Sequence, residues 1–169
     1  MKLKSEDSDE CANPRATDGA TSAFAIVGVE GIPARYGGFE TTAEALALRL
    51  RQRWDVTVYC SKYVRTKQSI DGVRLRSLPL AANGPSSLVY DALALFLARR
   101  YQSVILLGTS GTWFLPVFRL ISKARVVVNI DGLEWQRNKW SRPVRRLLGW
   151  LERLAVRYGD VVVADNQAI

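Results

Sequence analysis

Short apolar runs alternate with amphipathic segments along most of the chain, and this alternation predicts the order of its strands and helices. Six runs are rich in Val, Ile and Leu and lie between turn-forming residues, as buried strands do. These runs are residues 23–29, 56–60, 73–78, 104–107, 126–130 and 161–164. Uninterrupted apolar strands of this kind are typical of parallel sheets that helices cover on both faces.

Segments with apolar residues at helical spacing lie between these strands. They are residues 39–53, 88–100, 112–120 and 143–158. Pro143 suits the first turn of the last segment, where its missing N–H costs no hydrogen bond. We therefore predict an α/β fold, a Rossmann-like and doubly wound, mainly parallel sheet of about six strands with four or five helices.

The first 22 residues differ in character from the rest of the chain. They contain almost no large apolar side chain, so they cannot bury enough surface to offset the entropy of ordering, and we predict a disordered polar tail. Residues 23–169 have the length of one domain. No apolar run approaches the ~20 residues of a membrane-spanning helix, and residues 1–22 lack the apolar stretch of a signal peptide. We expect a cytoplasmic protein.

Two residue types narrow the possible chemistry. Cys11 and Cys60 lie far apart, one in the tail and one at the end of a predicted strand, which favours structural thiols over a disulfide or a metal site. Histidine is absent, so no mechanism that needs an imidazole can operate within this chain.

A glycine-rich loop between the first strand and the first helix is the strongest local signal. It runs over residues 28–40 with the sequence GVEGIPARYGGFE. Glycines let backbone N–H groups approach a phosphate closely, and the start of a helix adds a positive dipole. The spacing matches neither a G-x-G-x-x-G fingerprint nor a P-loop. A phosphate site and a long structural turn therefore remain alternatives at this point.

A second polar cluster follows the strand at residues 126–130. The segment 127–140, VVNIDGLEWQRNKW, combines carboxylates, cations and tryptophans just beyond the end of that strand. Aromatic faces stack on pyranose rings, and carboxylates and amides bind hydroxyl groups, so the mixture suits a sugar site. We favour a site for Asp131 and Glu134, whereas for Trp140 a core-capping role is the better interpretation.

These two segments resemble a known family. The stretch GIPARYGGFET at residues 31–41, with DGLEW at 131–135 and KW at 139–140, resembles the N-terminal domain of GT-B-fold, retaining glycosyltransferases of family four, in particular the bacterial rhamnosyltransferase-like branch. The resemblance covers residues 23–169. It implies transfer of a hexosyl or rhamnosyl group from a nucleotide sugar, such as dTDP-rhamnose or a UDP-hexose, without a metal or other cofactor. It also implies a second, donor-binding domain that this chain does not include, so we expect no transferase activity from the chain alone.

The resemblance assigns roles to particular residues. The donor phosphates and the cleft correspond to Gly37, Gly38, Arg35, Tyr36, Phe39 and Glu40. The candidate catalytic residues are Asp131 and Glu134, and the candidate sugar or acceptor contacts are Asn129, Trp135, Arg137 and Lys139. Asp131 stands where many relatives have a histidine that contacts the donor sugar, so that imidazole role cannot operate here.

The net charge of +8 points to an anionic partner. Seven cations and one acid lie within residues 137–157, where a solvated helix face is the simpler interpretation. The functional interpretation is attraction to anionic lipid at the inner face of the membrane and to a lipid-linked saccharide acceptor. Nucleic acid is a weaker candidate, because no known binding module is present.

Two other classes of function remain open beside the glycosyltransferase domain. One is a non-catalytic module that binds an acceptor or a partner, and the other is a basic nucleotide-binding α/β protein unrelated to sugars.

Overall fold

The computed structural model of the protein describes residues 23–35, 37–63, 69–130 and 140–164. Its strands are β1 (Ala23–Val27), β2 (Asp55–Ser61), β3 (Ser69–Ile70), β4 (Val73–Leu78), β5 (Ser103–Leu107), β6 (Arg125–Ile130) and β7 (Val161–Ala164). Its helices are α1 (Gly38–Leu50), α2 (Ser87–Ala98), α3 (Leu115–Ile121) and α4 (Arg142–Tyr158). Two short 3₁₀ turns, Gly84–Ser86 and Thr112–Phe114, lead into α2 and α3.

The described strands form one sheet in the order β3-β4-β2-β1-β5-β6-β7. Every neighbouring pair is parallel except β3 and β4, which form a hairpin. From β1 the chain winds outward to one edge through β2 and β4, and it then returns to β5 and winds toward the other edge. The predicted fold class, a Rossmann-like and doubly wound α/β sheet, is therefore confirmed.

Helices bury the two faces of the sheet in two separate cores. On one face α2, α3 and α4 pack through residues such as Leu95, Phe118 and Ala155. On the other face α1 packs through Ala43 and Ala47. In α1 and α4 the helical periodicity thus indicates which side faces the sheet.

The predicted elements agree with the structure to within a few residues, with two differences. The hairpin strand β3 was not predicted, because two residues are too short to show a periodic pattern. Asp71 and Gly72, both with positive φ, form its turn, and Asp-Gly is a known hairpin signal. The predicted helix 112–120 is divided, because its first residues form a 3₁₀ turn and α3 begins at Leu115, next to Pro116.

The predicted disordered tail, residues 1–22, lies outside the described residues. Among the described helices, none combines the length and the apolar character that crossing a bilayer requires.

Candidate functional site

The direction of winding reverses between β1 and β5, and this is where open α/β sheets bind their ligands. Gly28 follows β1 and Gly108 follows β5, each with φ of 90°. A Cβ on Gly28 would overlap the carbonyl oxygen of Leu107 in the neighbouring strand. The two loops can therefore leave the sheet side by side only because glycine occupies this position.

Pockets for small ligands have volumes of about 300 to 1,000 Å³. The space above these loops has a volume of about 610 Å³, which lies within that range. Four parts of the chain line this space. They are the loop after β1 with the start of α1 (Gly28, Glu30, Phe39, Glu40), the segment before and at the start of α2 (Ala82, Asn83, Gly84, Pro85, Ser87, Leu88), the end of β5 with its loop (Leu107, Gly108, Thr109, Ser110), and Trp140 with the inner side of α4. We call this space the crevice.

The start of α1 lies beside the crevice. Gly37 precedes the helix with φ of 110°, and a Cβ there would overlap the Glu40 carboxylate. At Gly38, the first helical residue, a Cβ would meet nothing within 4 Å. Gly37 and Gly38 are both exposed. The start of α1 is therefore open to an approaching group, and the helix dipole favours an anion there.

Two carboxylates of α1 hold the glycine-rich loop. The N–H of Glu30 donates to Glu40 Oε1 at 3.2 Å, and the N–H of Ala34 donates to Glu44 Oε2 at 2.9 Å. The peptide bond between Ile32 and Pro33 within this loop is cis. Glu40 thus braces the loop with the same carboxylate that borders the crevice.

The structure brings some of the predicted site residues together. Phe39 and Glu40 line the crevice, Gly37 and Gly38 lie at the start of α1, and Arg35 is exposed in the loop outside the described lining. Tyr36 and the predicted residues Asp131, Glu134, Trp135, Arg137 and Lys139 lie outside the described residues. Because β1 and β6 are parallel members of one sheet, the strand that leads to Asp131 ends at the same edge as the glycine-rich loop.

Asn129 lies at this edge, near the end of β6. Its backbone oxygen accepts a hydrogen bond of 2.9 Å from the N–H of Gly108. Its side-chain Oδ1 is buried and has no hydrogen-bond partner among the described residues. A buried carbonyl oxygen without a partner is unusual, and it leaves Asn129 able to accept a donor at the site edge.

Trp140 is 39% exposed and lines the crevice.

Asp91 and Ser110 form a pair at the base of the crevice that sequence reasoning missed. Asp91 is buried on α2, and the Ser110 hydroxyl donates to its Oδ2. Burial raises the pKa of Asp91 to about 7, against the opposing effect of the Ser110 hydrogen bond. The sequence does contain a signal for Asp91, since it is the single acidic residue in a predicted helix that is otherwise mostly apolar.

Two other buried hydroxyls bind the loops that lead to the crevice. The Tyr90 hydroxyl donates to the Val29 carbonyl at 3.0 Å, and burial raises the pKa of Tyr90. Thr112 Oγ1 lies 2.7 Å from the carbonyl oxygens of both Thr109 and Leu151, and its single proton can serve one of them at a time. These contacts connect the loops at the ends of β1 and β5 to α2 and α4.

The fold and the site define an open α/β protein with a ligand-sized crevice at the point where its sheet reverses direction. Residues 21–169 match a family described as a domain of unknown function (DUF1972), and the chain belongs to that family. A comparison with curated proteins gives no match. Within the described ranges there is no cluster of three or more Cys, Asp or Glu that could hold a metal ion.

Proposed function

We propose that this chain is the acceptor-side domain of a retaining, sugar-nucleotide-dependent glycosyltransferase. The enzyme transfers a hexosyl or rhamnosyl group to a lipid-linked acceptor in cell-surface polysaccharide assembly. The observation that carries the proposal is the crevice between the loops after β1 and β5, with the open start of α1 beside it.

The lining of the crevice supports a neutral, hydroxylated ligand. Its described residues include the carboxylates of Glu30, Glu40 and Glu152 and no Lys or Arg. Carboxylates accept hydrogen bonds from sugar hydroxyls, and the rings of Phe39 and Trp140 offer apolar surface for a pyranose. The described lining of the crevice therefore suits the hydroxyl groups of the acceptor sugar.

The start of α1 suits the leaving diphosphate. Backbone N–H groups at Gly37 and Gly38 would donate to its oxygens, and they require no metal to offset the charge. In the proposed front-face reaction the acceptor oxygen bonds to the anomeric carbon as the bond to the diphosphate breaks. The acceptor proton passes to the departing phosphate oxygen, so the sugar retains its configuration.

Binding of sugar nucleotides to the purified chain tests the part of this proposal that places the donor diphosphate at the start of α1. We expect saturable binding of dTDP-rhamnose or UDP-glucose by isothermal titration calorimetry, and no comparable binding of a short RNA. Gly38→Val fills the open space at the start of α1 and should weaken binding about tenfold or more, equivalent to ~1.4 kcal/mol. Arg49→Val, in the last turn of the same helix, is the control and should have little effect.

Three results would contradict the proposal. They are saturable binding of RNA but of no sugar nucleotide, an unchanged affinity in Gly38→Val, or an equal loss in Arg49→Val. The last result would mean that the ligand responds to the overall positive charge and not to the start of α1.

A further inference from the structure

The exposed apolar side chains of this domain are concentrated on one side. Of twelve large hydrophobic residues exposed within the described ranges, nine belong to α2, the 112–114 turn, α3 and α4. Those elements all pack against the same face of the sheet. Helix α1, which covers the other face, contributes none. We call the outer side of α2, the turn, α3 and α4 the helical surface.

Helices α2 and α3 form one continuous part of this surface. At one end Trp113 Nε1 donates to the Leu88 carbonyl at 3.0 Å, and at the other end the Ser122 hydroxyl donates to the Arg99 carbonyl at 2.7 Å. Both helices turn their buried residues toward the shared core. Their outer sides therefore face the same direction.

The outer side of α2 and α3 is strongly apolar. Val89 and Phe96 project from α2, two turns apart, and Val117, Leu120 and Ile121 project from α3. Leu120 is 86% exposed. The guanidinium of Arg99 lies 4.2 Å from the centre of the Phe96 ring, at the border of the apolar area. Exposed apolar clusters of this kind mark contact sites for a membrane or a protein.

The α4 part of the helical surface is cationic. Helix α4 has five arginines and one acid, Glu152. A recess of about 460 Å³ on its outer side is lined by Arg142, Arg145, Arg146, Gly149, Glu152 and Arg153. The exposed indole of Trp150 lies on the same helix. Arginines with an adjacent tryptophan are typical of helices at a membrane interface.

We propose that the helical surface binds an anionic lipid bilayer. The apolar side chains of α2 and α3 enter the boundary between headgroups and acyl chains, and the arginines of α4 contact lipid phosphates. The only acid on α2 and α3 is Asp91, which is buried, so the apolar area presents no negative charge to repel the lipid.

The charge also argues against a second copy of this chain as the partner. Two copies that met through the helical surface would place the arginines of one α4 near those of the other, and each chain carries a net charge of +8. An anionic bilayer gains from the same charge. The proposal does not depend on the transferase activity. The crevice and the helical surface do adjoin, because Leu88 lines the crevice and its carbonyl accepts the hydrogen bond from Trp113.

Sedimentation with vesicles of equal parts phosphatidylglycerol and phosphatidylcholine tests the proposal on the purified chain. We expect binding to these vesicles, weaker binding at high salt, and little binding to phosphatidylcholine alone. Val117→Asn with Leu120→Asn should weaken binding about tenfold or more. Arg146→Gln with Arg153→Gln should weaken it on the order of twentyfold, since each cation near such a surface contributes roughly fivefold.

A matched control removes the same charge from the other side of the sheet. Arg49→Gln with Arg53→Gln should change vesicle binding by less than about twofold. The four arginines, Val117 and Leu120 are all exposed, so the fold should be retained in each variant. Circular dichroism checks this.

Each other outcome overturns the proposal. It fails if the wild-type chain does not bind anionic vesicles, or if the control pair loses as much binding as the α4 pair. It also fails if the Val117 and Leu120 substitutions leave vesicle binding unchanged. A wild-type dimer that these two substitutions convert to a monomer, without vesicle binding, would assign the surface to self-association.

Discussion

Replacing Asp91 by asparagine should stabilise the protein at neutral and alkaline pH and have much less effect in acid. Asp91 is buried, and its partner is the hydroxyl of Ser110. Burial without a cation disfavours the carboxylate form, which raises the pKa of Asp91 from 3.8 to about 7. A pKa that is higher in the folded state means that the folded protein binds the proton more tightly than the unfolded chain does.

The sign and size of the effect follow from this difference. The stabilisation from protonated Asp91 is fully present below the unfolded pKa, and it is lost as the pH rises toward the folded value of about 7. A difference of about three pKa units corresponds to ~4 kcal/mol. The asparagine variant has no such loss, so its advantage in unfolding free energy should grow by about that amount between pH 4 and pH 8.

Urea unfolding at a series of pH values measures the effect as the difference between the variant and the wild type. Subtracting the two curves removes the contributions of the other carboxyl groups. The new amide N–H₂ of Asp91→Asn is left without an acceptor at a cost of about 1 kcal/mol, but this cost does not depend on pH.

Ser110→Ala serves as the second variant. The Ser110 hydroxyl lowers the pKa of Asp91, so its removal should shift the transition in stability to higher pH. A stability difference between Asp91→Asn and the wild type that stays constant with pH would refute the reasoning. An Asp91→Asn variant whose stability falls progressively below that of the wild type as the pH rises would refute it too.

Two further substitutions test contacts around the crevice by urea unfolding. Gly37→Ala should cost ~1–3 kcal/mol, because φ of 110° strains an alanine and its Cβ overlaps the Glu40 carboxylate. Gly38→Ala is its control and should stay within about 0.5 kcal/mol, so equal losses at the two glycines would contradict the prediction. Thr112→Val should cost ~1–3 kcal/mol, because it removes the hydroxyl that reaches the Leu151 carbonyl on α4, and Thr112→Ser should retain most of that stability.

The sequence was sufficient to predict the sheet and the edge at which the candidate site lies. Apolar runs such as residues 104–107 and 126–130 are continuous because both faces of their strands are covered, and this pattern is visible without a structure. Parallel strands place their carboxyl ends at one edge, so the glycine-rich loop could be assigned to that edge from strand order alone.

The pairing of Asp91 with Ser110 could not be predicted in the same way. The two residues are separated by the rest of α2 and all of β5, and their contact depends on how α2 is rotated about its axis. Periodicity identifies the apolar side of a helix, but α2 is apolar almost all round. The sequence pattern therefore does not predict which side of α2 faces the loop after β5.

The distribution of charge separates the two proposed roles of this domain. The described lining of the crevice contains carboxylates and no Lys or Arg, whereas the arginines of α4 lie on the outer side of the helical layer. Among the described residues, the arginines of α4 therefore do not serve the crevice directly. A neutral acceptor sugar in the crevice would be held by hydrogen bonds and aromatic contacts, which salt screens weakly. The attraction of α4 to a lipid surface is electrostatic, and salt screens it strongly. A lipid-linked acceptor needs both the crevice and the cationic surface. In the proposed complex its sugar is bound in the crevice, and its anionic, lipid-bound end is bound by the adjoining helical surface. Leu88, which lines the crevice and supports Trp113 on the helical surface, lies where these two surfaces meet.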